Sequence, residues 1–412
     1  MFLTRTQWLI IGGGLVIAVI VAGLIFFFGA KNITQAELTL WGLDPAAVWQ
    51  PIFDEYKKEN PGIEINYIQK NPQNYERDLV NALASNQGPD LLFFQNSWLP
   101  KHFDKIAPAP PQLIDPAAIR QLYPSVVEQD LVAFDQVFSL PLFIDSLALF
   151  YNQDIFDQRK IALPPANWLE FQELARQLGF GKTAIGGSNS NIDGATDILN
   201  ALMLQEGVTM TNEKLKLIFA DEGGLAPLLF YSKFSQPQSD YYVWNQNQPF
   251  SPQGFSRGEI AMMIGYHYHA NLLQRLNPSL RFAIASLPQS AATVVNYPFY
   301  YGLAVSGQSP NYQAAWQFIV WLTTNPEASL QYLAQAGQPP ALRSLIGQFS
   351  NDPEFGLFAN QALTARSWPQ FDNLAVENVF SQMLESIMEG GDAETALKAA
   401  QNQLNGLLGP AY

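Results

Sequence analysis

Apolar and polar positions alternate in Glu37-Leu-Thr-Leu-Trp-Gly42 and again around Ile63, Ile65 and Tyr67, the period of a half-buried strand. Between them Val48, Trp49, Ile52, Phe53 and Tyr56 recur at helical spacing, after Asp44-Pro45 and before the stop Asn60-Pro61-Gly62. Pro51 has no N–H for a helical ladder and is expected to mark the true start of that helix. A helix through Tyr75, Leu79 and Leu83, then the apolar run Pro89-Asp-Leu-Leu-Phe-Phe94, completes β-α-β-α-β, which implies a parallel sheet with right-handed crossovers. Ligands of open α/β sheets bind beyond the carboxyl ends of the strands, here Trp41-Gly42, Gln69 and Gln95-Asn-Ser-Trp98.

From Phe138 to Asn152 the chain is apolar on both faces, as a strand covered on both sides would be, yet it is too long for one ordinary strand. It is therefore expected to pass through two sheets, with Pro141 where one lobe is left and Asp145 as a lone carboxylate at the crossing. Beyond it, Asn167 and Glu170 have capping-box spacing ahead of a helix bearing Phe171, Leu174 and Leu178. Glu259 to Gly265 reads as a buried strand that ends in Tyr266-His-Tyr-His269. Helices through Ala314–Leu322 and from Pro326 to Gly337 follow, and the chain from about 342 is expected to be helical on the second lobe.

Composition narrows the function. The 412 residues are too many for one small core, and charged residues are only 14% of a turn-rich chain with 28 Gly and 28 Pro. A formal charge of -14 argues against nucleic acid, whose phosphates need clustered Lys and Arg. The absence of cysteine removes disulfides, thiolate metal sites and Cys nucleophiles. Residues 8–28 carry no charge, and at about 1.5 Å per residue they span roughly 31 Å, enough to cross a bilayer. A transmembrane anchor, or a long signal sequence, is expected there. Residues 1–7 form a short tail and 29–36 a linker, and the rest is placed outside the cytoplasm.

The candidate chemistry is neutral and aromatic. Gln95, Asn96 and Ser97 offer amide and hydroxyl groups, while Trp41 and Trp98 offer flat faces; sugars present C–H faces and hydroxyl edges that suit such a mixture. The glycine-rich stretch 185–194 fits neither a calcium loop nor a phosphate cradle, because the bidentate Glu and the Gly-Lys-Ser/Thr are missing. His267 and His269 share a face if the chain is extended, but the only other histidine is His102, so no metal is expected and a neutral hydrogen-bonding role ranks above one.

The crossing segment Phe138–Asn152, the Pro-Pro of Leu163-Pro-Pro-Ala-Asn-Trp168, Gly258-Glu-Ile-Ala-Met-Met and Gln338-Pro-Pro-Ala341 occur in an order that resembles the extracellular solute-binding proteins of the maltose-binding type, the capture components of ABC importers. The resemblance covers roughly residues 37–408. It implies an α/β fold of the two-lobe periplasmic-binding-protein kind (type II), each lobe a mostly parallel sheet flanked by helices. On that reading residues 37–142 with 287–340 form the first lobe and 143–286 with 341–412 the second, hinged near 142–146, 286–290 and 338–341. It further implies a monomer that captures a small carbohydrate by closure and delivers it to permease subunits, with no cofactor and no catalytic residue. Trp41, Gln95, Asn96, Trp98, Asp145, Tyr266, Tyr268, Tyr297 and Trp368 are the expected ligand contacts, Tyr266, Tyr268 and Trp368 by resemblance. The missing lipidation cysteine departs from the pattern and leaves the mode of attachment open. An enzyme using Asp145 and Glu259 as a carboxylate pair, or an adhesive surface protein, are the other classes in view.

Overall fold

The structure, a computed structural model, describes residues 35–290 and 294–408. The span expected at 8–28 lies outside the described residues, among which no helix is long and apolar enough to cross a membrane.

The first half supplies β1 (Ala36–Gly42), β2 (Ile63–Gln69), β3 (Leu91–Gln95), β4 (Ile106–Ala107), the hairpin β5 (Val132–Ala133) and β6 (Gln136–Val137), then β7 (Leu140–Pro141), β8 (Asp145–Ser146) and β9 (Ala148–Asn152). The second half supplies β10 (Thr183–Ala184), β11 (Met262–Gly265), β12 (Phe282–Ser286), β13 (Pro298–Phe299) and β14 (Tyr301–Ser306). One sheet has the order β2-β1-β3-β14-β4, with β7 also on β14; the other runs β10-β11-β9-β12. Each has its own core. Leu40, Phe93, Ile144, Val305 and Phe318 belong to the first, and Phe150, Ile198, Trp244, Ile264 and Phe380 to the second.

In place of the mostly parallel sheets expected, only β2-β1-β3 and β10-β11 pair in parallel. In the first sheet β14 runs against β3, β4 and β7; in the second, β9 is antiparallel to both neighbours and only β10 and β11 are parallel. The cause is direction of travel. β9 and β14 leave the junction between lobes, whereas β3, β11 and β12 run toward it.

The segment 138–152 does cross between sheets. Leu140–Pro141 pairs with β14, Asp145–Ser146 pairs with β13 in a two-stranded ribbon, and Ala148–Asn152 lies central in the second sheet. Leu142 N donates to Tyr301 O at 3.1 Å and Leu147 N to Tyr297 O at 3.0 Å, so the second passage lies beside the first at 297–301 and not at 286–290. Leu287 accordingly sits in the second core. The third passage is also displaced. Leu345, Ile346, Ala359 and Ala362 pack in the first core, not the second as expected for residues beyond 341, because the helix Arg343–Phe349 lies against the first-lobe helices Pro116–Leu122 and Pro326–Ala336. The chain returns to the second lobe near Ala365, which bridges Asn296; Trp368 is already in the second core.

Two local expectations are corrected. The first helix runs from Ala46 to Glu59 and includes Pro51, since losing one ladder bond is tolerated where Trp49 and Ile52 anchor the helix in the core. The chain after Gly265 is not extended. A helix spans Tyr268–Leu276, so His267 and His269 do not share a face. His267 packs on Phe355 and Phe358, whereas Nε2 of His269 lies 2.9 Å from Asp193 Oδ2. No group of three potential ligands that could hold a metal ion occurs among the described residues.

Candidate functional site: a groove between the lobes

The first wall is the end of β3. Gln95 closes the strand, and Asn96 and Ser97 turn into the groove. Asn96 is pinned from behind: its Nδ2 donates to Asp130 Oδ2 at 3.1 Å and its Oδ1 accepts from Tyr300 N at 3.4 Å. Tyr300 Oη also donates to Asp130 Oδ2, at 2.8 Å, and Ser367 Oγ donates to the other oxygen. Burial raises the Asp130 carboxyl to about 6, against these three hydrogen bonds, which favour its ionised form.

The second wall comes from two helices. The glycine-rich stretch 185–194 ends in Gly194 at φ 71°, and the helix Ala195–Gln205 then carries Thr196, Asp197 and Asn200 into the groove from its first turns. Asp372 caps the helix Asn373–Met388 by accepting from Ala375 N, which places Asn373 and Glu377 one turn apart on the same face. Tyr266, following β11, and Tyr297, on the second passage, close the sides with Phe299.

These residues enclose a cavity of about 50 Å³. Their hydrogen bonds form separate sets. Tyr266 Oη donates to Asp197 Oδ2 at 2.7 Å; Tyr297 Oη accepts from Gln370 Nε2 at 3.0 Å and from Asn200 Nδ2 at 3.3 Å; Trp368 Nε1 donates to Asn200 Oδ1 at 3.2 Å. Across the groove Asn373 Nδ2 donates to Gln95 Oε1 at 3.4 Å, and Lys101 reaches Asp372 at 2.9 Å while also pairing with Glu76 at 2.8 Å. Burial, then repulsion from Asp197 and Asp193, raises Glu377 to about 8. Burial likewise raises Asp197 to about 6, against the hydrogen bond from Tyr266.

A second, more apolar cavity of about 250 Å³ adjoins the first through Asn96, Ser97 and Gln370. Phe103 and Phe134 of the first lobe face Trp368, Pro369 and Leu215 there. Phe134 and Leu215 both adopt left-handed backbone, φ 52° and 57°, a conformation costly for side chains of this size.

Of the residues expected to touch ligand, Gln95, Asn96, Tyr266, Tyr297 and Trp368 line one or both cavities. Trp41 and Trp98 line neither. Trp41 lies in the first core with Lys70 Nζ 3.3 Å above its ring, and Trp98 is enclosed by Tyr75, Phe94 and Tyr301. Tyr268 stacks on Tyr266 at 5.8 Å and is 38% exposed, outside both cavities. Asp145 is buried in the hinge, where its carboxylate accepts from Ser146 N at 2.7 Å, His267 N at 2.9 Å and Tyr268 N at 3.4 Å. It thus closes the amino end of the helix that starts at Tyr268, and burial raises its carboxyl to about 7.

Asp197, Asn200, Gln370, Asn373 and Glu377 were not foreseen. A signal existed for Asn200, a fully buried polar residue inside the apolar run Ile198-Leu-Asn-Ala-Leu202.

The model of the family described as bacterial extracellular solute-binding proteins matches residues 42–329. The maltotriose-binding protein of Pyrococcus abyssi is 22% identical over 376 residues, covering 87% of this chain and 78% of that protein. Among solved structures, the sugar-binding protein MalE of Xanthomonas citri superposes with a TM-score of 0.74 at 18% identity, over 90% of this chain and 97% of that one. An ABC transporter solute-binding protein of Thermotoga lettingae bound with α-D-tagatose does so with 0.72 at 20% identity, over 91% and 100%. With its two-lobe α/β architecture and a groove walled by both lobes, the chain belongs to the bacterial extracellular solute-binding protein family.

Proposed function

We propose that the protein is the extracytoplasmic capture component of an ABC importer and that it takes a small saccharide between its lobes. The observation that carries this reading is the cavity walled on one side by Gln95, Asn96 and Ser97 and on the other by Thr196, Asp197, Asn200, Asn373 and Glu377. Amide, hydroxyl and carboxylate groups alternate there with the rings of Tyr266, Tyr297 and Phe299, a mixture that matches the edges and faces of a sugar. The maltotriose and sugar named for its relatives point the same way. A ligand touching both walls favours the closed arrangement, which a membrane permease then reads. The body acts as a monomer outside the cell, held by residues 8–28.

Capture needs no nucleophile and no cofactor. Asp145 and Glu259 do not share a site: the first is buried among backbone amides, and the second is half exposed on the surface beside Arg257 at 2.9 Å. Calorimetric titration of the full chain with a panel of mono- and oligosaccharides tests the proposal. Saturable binding of at least one saccharide, with no product released on prolonged incubation, is expected. Silence toward every saccharide alongside binding of an amino acid overturns the ligand class.

A further inference from the structure

The groove is unbalanced in charge and in hydrogen-bonding capacity. Its polar cavity is lined by the carboxylates of Asp197 and Glu377 and by no lysine, arginine or histidine. Lys101, which reaches toward this region, is held between Glu76 and Asp372, and the imidazole of His269 is taken by Asp193. Among the described residues the Glu377 carboxylate accepts no hydrogen bond, and Asp197 accepts only at Oδ2, from Tyr266. Asn373 is 6% exposed, and its Oδ1 is buried without a partner in the same wall. The cavity therefore holds unused acceptors from two helices. Hydroxyl groups can satisfy them one at a time but leave the buried charge of Asp197 uncompensated, which is costly. An ammonium group brings up to three donors and the opposite charge, and the rings of Tyr266, Tyr297 and Phe299 suit it as well.

We propose that the captured saccharide carries a protonated amine, which pairs with Asp197 and Glu377 and donates to Asn373 Oδ1. This rests on the saccharide reading above and narrows it to amino sugars. The titration behaviour agrees. Glu377 faces Asp193, Asp197, Glu76 and Asp372, and burial with these like charges raises it to about 8, so at pH 7 the free protein holds it largely protonated. The phenols of Tyr266, Tyr268 and Tyr297 around it are pushed well above their ordinary range and stay neutral. A bound cation lowers Glu377 again, and a proton leaves to solvent on binding.

The test is calorimetry on the full chain at pH 7 with two isosteric probes, the β-1,4 glucosamine disaccharide and cellobiose, in phosphate and in Tris, with maltotriose as a further neutral probe. The amine-bearing disaccharide is expected to bind at least about tenfold tighter than cellobiose, the scale of one added charge-assisted hydrogen bond. Its heat should differ between buffers by close to one released proton, and the preference should narrow to within about threefold in both Glu377→Gln and Asp197→Asn. Equal or tighter binding of cellobiose, or binding of maltotriose alone, overturns the amine and leaves the saccharide reading standing. Silence toward all three while another neutral saccharide of the panel binds also overturns the amine, and silence toward every saccharide alongside binding of an amino acid overturns both.

Discussion

At the scale of single residues, the burial of polar groups separates two roles that look alike in the sequence. Asp145 and Asp197 are both carboxylates in apolar surroundings, yet Asp145 spends its oxygens on backbone amides at a hinge while Asp197 leaves one in the groove. Replacing Asp145 by Ala strands the amides of Ser146 and His267 in a buried site. Urea unfolding should show a loss of about 2–3 kcal/mol, with saccharide binding retained in the fraction that stays folded. Trp368 stands at the groove instead. It lines the apolar cavity and holds Asn200, which in turn holds Tyr297. Trp368→Ala is expected to weaken saccharide binding by about 1–3 kcal/mol in calorimetry, with Trp368→Phe intermediate because it keeps a ring and loses the Nε1–H. That Gln95 and Asn96 line the groove was legible because they stand at the end of a strand, where α/β folds place ligands, and Tyr297 lines it beside them. Trp41 and Trp98 were misleading for the same reason: strand ends also carry the rings that seal the core.

At the scale of elements, what was legible was local. The strands at 36–42, 63–69 and 91–95 and the N-cap at Asn167, which accepts from Glu170 N while Glu170 accepts from Ala166 N, depend on neighbours in sequence, and they form where the pattern places them. The turn after Gly265 depends on Asp145, which caps it from 122 residues away, and no local pattern carries that information. The hinge makes a sharper demand on β14. A Cβ at Gly302 would lie 2.5 Å from Leu140 O and 2.6 Å from Ser139 Oγ, so the crossing strand packs directly on bare backbone. Gly302→Ala must push β7 away from β14. Overpacking of this kind costs about 1–3 kcal/mol, and a lowered thermal midpoint together with faster exchange of the Leu142 amide is the expected signature. Unchanged exchange at Leu142 would contradict so close a fit.

At the scale of the whole molecule, three passages of chain lie side by side at 142–147, 296–301 and 364–366, and each core is assembled from segments far apart in sequence. That is why the two-lobe architecture was readable from element order, whereas the positions of the second and third passages were not. Charge acts at this scale too. Asp44, Asp130 and Asp197 are raised to about 6, Asp145 to about 7 and Glu377 to about 8, burial being the first cause in each. A carboxyl whose folded pKa lies above its unfolded one binds more protons when folded, so stability falls as pH rises between the two values. The lowered groups, Glu76, Glu173, Glu259 and Asp392, act only below their ordinary range of about 4 to 4.5. His267, lowered by burial to about 4, opposes this trend between about pH 4 and its ordinary value of 6.5, as one group against five. Thermal unfolding without ligand should therefore decline from pH 5 toward pH 8, and a rise over that interval would contradict the assignment. The central claim is that a saccharide is held by both lobes at once. Small-angle scattering of the full chain, with and without a saccharide that calorimetry shows to bind, tests it most directly: the account predicts a smaller radius of gyration at saturation and no such change in Trp368→Ala under conditions where it does not bind. An unchanged radius at full saturation of the native protein would contradict it.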